Sequence, residues 1–183
     1  MTSRDAHLKE VFQRPPLIAF KRQQNIRGLL KRAQVARASK PYPSRQQNGM
    51  KRCGKNCLAC PYIREGKNIT INGIKWQIKK QMNCNTFNIV YAIQCKKDRC
   101  KEVYIGETKR ILRFRLDDHR GYVNTGADTA TGSHFTGPGH SLADMSVMAL
   151  ERVKKNSDPY RKEREEYFIR KFNTLHRGMN RKI

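Results

Sequence analysis

Arg115, His119 and Glu165 are the residues of this sequence whose positions demand an explanation in terms of chemistry. The first two fall in VYIGETKRILRFRLDDH, Val103 to His119, where a short apolar strand ends at Gly106 and a basic turn leads into a helix. With that helix starting near Arg110, Ile111, Leu112, Arg115, Leu116 and His119 recur at the three-and-four spacing of one face. A guanidinium stays charged in a protein, so on an inner stripe it must face an anion, either a carboxylate or a substrate phosphate. Snorkelling of Arg115 from the edge of the stripe, with His119 as a satisfied core imidazole, is the bland alternative. Glu165 poses the opposite problem. It precedes Phe168 and Ile169 by one turn in PYRKEREEYFIRKFNTL, on the side of the inner stripe Phe168, Ile169, Phe172 and Leu175. A carboxylate facing a core needs a cation, which can be a divalent metal or a nearby arginine.

Thiols and imidazoles supply a second kind of chemistry. Cys53, Cys57 and Cys60 stand in CGKNCLAC, and Cys84 follows a segment in which the turn residues Asn72 and Gly73 precede an alternating strand, Ile74, Trp76 and Ile78. Three thiolates and a fourth beyond a hairpin can close a tetrahedral zinc shell. Cys95 and Cys100 sit at the turn of a second hairpin, and His134 and His140 flank the loop-like SHFTGPGH. These four make a second candidate zinc set, so the six cysteines and two histidines fill two shells with no thiol left over. Free thiols are the alternative for the first set, and histidines without a ligand role the alternative for the second.

These groups require particular elements to position them. TFNIVYAIQC, Thr86 to Cys95, is rich in branched and aromatic residues and predicts a strand with Phe87, Ile89, Tyr91 and Ile93 on one face. It pairs with KEVYIG as an antiparallel hairpin, and MSVMALERV predicts a third strand from about Met145 to Val153. Asp158 and Pro159 then open the helix that carries Glu165, which Gly178 is expected to end.

The charge of +24 marks a polyanion binder, with DNA, RNA and anionic membrane as candidate surfaces. Residues 1–52 hold thirteen Lys and Arg against two acids, and Asn25 can cap a basic helix with Ile26, Leu29, Leu30 and Ala33 on a narrow stripe. The chain contains no run of about eighteen apolar residues, and MTSRDAHLKE lacks the apolar stretch of a secretory signal. A reducing compartment and no membrane are therefore expected, which favours metal ligation over disulfides.

Taken together, IVY at Ile89 to Tyr91, YIG at Tyr104 to Gly106, the helix arginine and histidine, the late helix glutamate and Asn180 resemble the GIY-YIG nuclease family over about Thr86 to Asn180. The resemblance implies a small α/β (α+β) domain, a three-stranded antiparallel sheet flanked by helices, with a metal-dependent phosphodiesterase site. By the same resemblance the catalytic residues are Tyr91, Tyr104, Arg115, His119, Glu165 and Asn180, with Glu165 holding Mg²⁺ or Mn²⁺. Which tyrosine is the general base stays open, and Arg113 is an alternative occupant of the arginine position. Ile89 stands where the first motif carries glycine. The cysteines between the motifs and the histidines after them, with NIRGLLKRA and CGKNCLACPYI upstream, more closely resemble the endonuclease domain at the end of Penelope-like retroelement polyproteins. That resemblance implies a nuclear enzyme that nicks DNA, plain, structured or RNA-bound, to prime reverse transcription by the reverse transcriptase of the same polyprotein. The organisation expected is a basic extension over 1–52, a zinc-binding segment over 53–85 and the endonuclease domain over 86–183. A zinc-stabilised nucleic-acid binder without chemistry, or a zinc domain that docks proteins, are the rival readings.

Overall fold

The computed structural model describes residues 48–54, 57–154 and 157–181, so the basic helix expected after Asn25 lies outside the described residues. Strand β1, Gly49–Met50, leads into the cysteine-rich stretch, which ends in a 3-10 turn at Cys60–Tyr62. Strands β2, Asn68–Ile71, and β3, Ile74–Gln77, form the expected hairpin. Its turn residues Asn72 and Gly73 both have positive φ, 48° and 82°, as the tight turn joining two twisted strands demands and as Asn and Gly tolerate. Strand β4, Gln81–Met82, then runs parallel to β1.

The central sheet comprises β5, Ile89–Cys95, β6, Val103–Thr108, and, after two helices, β7, Met145–Arg152. It is antiparallel in the order β6-β5-β7. The two helices are α1, Leu112–Thr125, and α2, Ala130–Thr136, and a third, α3, Asp158–Phe172, follows the sheet. The expected one-sided face on β5 is corrected: Ile89 through Ile93 are all fully buried. Helix α1 covers one face, where His119 meets Tyr91, and α3 covers the other, where Arg161 meets Glu107. Phe87 falls outside the strand, half-exposed, with the Arg152 guanidinium 5.0 Å from its ring centre.

Where β5 passes from Val90 to Tyr91 its register with β7 slips, leaving Leu150 as an extra residue. The indole Nε1 of Trp76 donates to the Leu150 carbonyl at 3.1 Å, which satisfies the group that the bulge frees. Trp76 also packs edge-on against Phe168 of α3, centroids 5.0 Å apart, so hairpin, sheet and helix share one hydrophobic core.

Both long helices depart from their expected ends. Helix α1 begins at Leu112 without a side-chain cap; its first amides, Leu112 and Arg113, donate to the carbonyls of Thr86 and Cys84 at 2.9 and 3.0 Å. Helix α3 has Ser157 rather than Asp158 at its cap and stops at Phe172, because Asn173 turns left-handed at φ 53° and places Leu175 beyond the helix. Gly178 has another job. A Cβ there would stand 2.5 Å from the Val103 carbonyl oxygen, so its bare backbone lets the turn after α3 close on β6.

Candidate active site

Pairing of Tyr91 with Gly106 and of Ile93 with Tyr104 puts both tyrosines on the α1 face of the sheet. Gly106 makes this possible, since a Cβ there would lie 2.7 Å from both the Tyr91 hydroxyl and a ring carbon of Tyr104. Arg115 comes down from α1 and its Nε donates to the Tyr91 hydroxyl at 3.0 Å. The same hydroxyl lies 2.8 Å from His119 Nε2, and His119 Nδ1 lies 2.9 Å from the Thr131 hydroxyl on α2. Arg115, Tyr91, His119 and Thr131 thus form one continuous hydrogen-bonded chain. Arg113 instead stacks over Phe114, 4.9 Å from its ring centre, so the arginine brought to the tyrosines is Arg115.

Burial first, and then the Arg115 charge, lower the His119 pKa to about 3, so the imidazole is neutral. Because the Tyr91 oxygen already accepts from Arg115, we assign its O–H to His119 Nε2, which leaves the ring proton on Nδ1 to be donated to Thr131. Tyr91 is fully buried, and desolvation followed by the neighbouring Tyr104 pushes its phenol well above the ordinary range. Tyr104 is raised by burial and by Glu165, with Arg115 opposing. Desolvation of the Arg115 guanidinium is outweighed by its tyrosine partners, and its nitrogen also lies 3.5 Å from Asp118.

Tyr104 stands where two cavities meet. One, about 190 Å³, is lined by Arg115, His119, Tyr122 and Thr131; the other, about 790 Å³, by Asp128, Lys162, Glu165, Asn180 and Arg181, and Tyr104 lines both. Glu165 reaches the larger cavity from α3. Burial, and then the charge of Glu107, raise its pKa to about 7 against the opposing Glu107 amide. The bland alternative for Glu165 fails: among the described residues no arginine or lysine pairs with it, although its neighbours Arg164 and Glu166 pair with Glu151 and Arg170. A partly desolvated carboxylate in no ion pair among the described residues, with Arg115 and Lys162 acting on it only through their charge and the half-buried Tyr104 phenol on the same cavity, fits a divalent cation.

Asn180 is differently employed. Its Oδ1 accepts from the Ile105 amide at 2.9 Å and from the Thr174 hydroxyl at 2.8 Å, and its Nδ2 donates to the Ile105 carbonyl at 2.9 Å. It grips β6 one residue from Tyr104 with every strong valence of its amide engaged except one N–H. Thr131 was not singled out by the sequence, where it lies in a run of small polar residues with no distinctive spacing.

The two sulfur-rich sets also assemble. Ligand atoms of Cys53, Cys57, Cys60 and Cys84 lie within 4.8 Å of one another, as do those of Cys95, Cys100, His134 and His140. Two sulfurs on a tetrahedral zinc stand roughly 3.8 Å apart, and a sulfur and an imidazole nitrogen roughly 3.6 Å. The separations are 3.4 Å for Cys53 and Cys60, 3.5 Å for Cys60 and Cys84, 3.5 Å for Cys95 and His140, and 3.6 Å for Cys100 and His134. Such spacing is too long for disulfides and suits a shared metal, so both sets can hold zinc. One expectation is corrected: His134 sits in the last turn of α2, not in a loop, because the Thr129 hydroxyl caps that helix by accepting from the Gly132 amide at 3.0 Å.

No curated protein and no solved structure matches the chain. Residues 87–180 match the model of the GIY-YIG catalytic domain, a span that begins just before β5 and ends on the Asn180 that grips β6. With both tyrosine motifs paired in one sheet and the arginine, histidine and glutamate gathered around them, the chain belongs to the GIY-YIG family of nuclease domains.

Proposed function

We propose that this protein is a divalent-metal-dependent DNA endonuclease that hydrolyses phosphodiester bonds. The observation that carries the proposal is the placement of Tyr104 between Arg115 on one side and the unpaired carboxylate of Glu165 on the other. Glu165 would hold Mg²⁺ or Mn²⁺, which when bound supplies Lewis-acid neutralisation of phosphate charge and lowers the pKa of a neighbouring phenol or water. Arg115, with its Nε on Tyr91 and its Nη1 3.5 Å from Asp118, would clamp a nonbridging phosphate oxygen through its remaining N–H groups. Tyr104, which borders both cavities, would take the proton of the attacking water as a phenolate, the form that Arg115 and a bound cation would favour against burial and Glu165. Tyr91 is sealed from solvent and orients Arg115. Neutral His119 holds Tyr91, and Asn180 sets the height of β6; both position rather than react.

The lone carboxylate disfavours a pure nucleic-acid binder, because without a cation it repels phosphate. Incubating purified protein with supercoiled plasmid in Mg²⁺ or in EDTA is the test. Nicking in Mg²⁺ alone is expected, and binding without cleavage in any divalent metal would establish the binder instead.

In this reading the enzyme works in the nucleus as part of a Penelope-like retroelement, nicking target DNA to prime the reverse transcriptase encoded with it. The order of Cys95, Cys100, His134 and His140 around the two motifs supports that assignment, as does the basic charge of residues 1–52.

Thr131 supports His119 from α2. Its replacement by valine leaves the His119 Nδ1–H buried without an acceptor, at a cost of ~1–3 kcal/mol. Thr131→Val is expected to lower kcat about 10-fold with KM unchanged, and Thr131→Ser to restore it. An unchanged kcat in Thr131→Val, which keeps the volume, together with a loss in Thr131→Ser, would show that Thr131 merely fills space.

A further inference from the structure

A cavity of about 1030 Å³ lies away from the tyrosines, at the hairpin-tip end of the sheet. Its floor is Gln94, Val103 and Ser146, which pair across β5, β6 and β7. Gln94 is an odd number of residues from Tyr91, and Val103 is next to Tyr104, so this floor is the sheet face opposite the two tyrosines. Five cations line it, Arg52, Arg64, Lys96, Lys101 and Arg177, against one acid, Glu102.

These cations come from three separate parts of the chain: the cysteine-rich segment, the tip between β5 and β6, and the turn after α3. Among the described residues none of the five is in an ion pair, whereas arginines elsewhere, such as Arg110, Arg161, Arg164 and Arg170, each face a carboxylate. Arg64 is held at the wall by a 3.0 Å bond to the Gln94 amide oxygen, which orients the side chain without neutralising it. Tyr62 also lines the groove, its half-buried ring 5.9 Å from the Arg120 guanidinium. A single small anion needs donors that converge on one point. Charges spread over three walls and an aromatic ring instead suit a row of phosphates and a stacked base, which is the chemistry of a single-stranded polynucleotide.

We propose that this groove binds a single-stranded nucleic-acid arm that leaves the cleavage site around the hairpin tip, so that the preferred substrate is a duplex carrying such an arm. The proposal rests on the nuclease reading of the tyrosine site. Because cleft and groove occupy opposite faces of one sheet, a straight duplex in the cleft does not enter the groove, and a flexible strand does.

The test measures binding of the full-length protein in EDTA by fluorescence anisotropy, with three probes: a plain duplex, the same duplex with a single-stranded DNA arm of about twelve nucleotides, and the same duplex with an RNA arm of that length. The protein is expected to bind at least one armed probe about 10-fold more tightly than the plain duplex, and the arm preferred identifies the strand. Combined substitution Arg52→Ala, Lys96→Ala, Lys101→Ala and Arg177→Ala is expected to abolish that preference. It should also reduce the salt slope for the armed probe by roughly 0.7 for each cation removed. An equal-charge control, Lys75→Ala, Lys79→Ala, Lys80→Ala and Lys154→Ala, is expected to keep the preference, which separates the groove from the net charge. No preference in the parent protein, or a preference that survives the groove substitutions, overturns the proposal. Because these measurements need no cleavage, an arm preference in a protein that never nicks plasmid would uphold the groove and remove the nuclease reading.

Discussion

Glu165→Gln and Arg115→Ala are each expected to slow single-turnover cleavage of supercoiled plasmid by about 10³-fold or more while DNA affinity changes by only a few-fold. Glu165 is partly desolvated, has no cationic partner among the described residues and borders the same cavity as Tyr104. Glutamine keeps its volume and removes the charge that would hold a divalent cation. Arg115 is fixed by its bond to Tyr91, so truncation removes the phosphate clamp and leaves the buried Tyr91 hydroxyl with one partner fewer. Affinity is insulated from both changes because a protein with a net charge of +24 draws its binding energy from many phosphate contacts. Plasmid nicking at the parent rate by both variants would remove Glu165 and Arg115 from the chemistry.

The limits of sequence reasoning follow from where each constraint resides. β5, β6 and β7 were legible because branched and aromatic residues recur in short bounded runs, and the third strand runs Met145–Arg152, against an expected Met145 to Val153. The β2–β3 turn was legible because Asn72 and Gly73 are a local signal. The start of α1 was not, since its capping carbonyls belong to Thr86 and Cys84, far back in the chain. Nor was the end of α3, where Asn173 rather than Gly178 takes the left-handed conformation. The exposure of Phe87 escaped for a related reason: composition extends the strand to it, and the sheet pairing begins at Ile89.

At the candidate site, Arg115, His119 and Glu165 stood out because each is a polar group at an apolar helical spacing. Their partners stood out less. Thr131 is a threonine among threonines, and it matters because α2 presses it against His119. The sequence also placed Asn180 with the catalytic group, and its bonds to both polar atoms of the Ile105 backbone give it a positioning role in the proposed mechanism. Such roles depend on contacts between distant segments and leave no periodic trace.

Metal content carries the other large expected effect: two zincs per chain, each tied to one helix of the candidate site. Cys84 belongs to the first set, and its carbonyl caps α1 at Arg113, two residues before Arg115. His134 belongs to the second, and lies one turn from Thr131 on the seven-residue α2. A helix that short has little stability of its own, so a zinc joining His134 to Cys95 and Cys100 is expected to help buried Phe135 hold Thr131 against His119. Structural zinc contributes about 10–16 kcal/mol in small zinc-finger peptides, which is comparable with the whole folding stability of a domain. Elemental analysis of protein purified without added metal is expected to give two zincs, falling to one in Cys95→Ser or His134→Ala and likewise to one in Cys60→Ser. The two losses differ in kind. The second-set variants are expected to lose cleavage while keeping most DNA affinity, because α2 and the Tyr91–His119 chain loosen and most of the basic surface stays in place. The first-set variant is expected to lose thermal stability as well, because its cluster anchors the cysteine-rich segment whose Met50, Ile63 and Met82 pack in the shared core. A ratio near one zinc that is insensitive to Cys95→Ser would eliminate the second site, and a protein free of zinc would eliminate both.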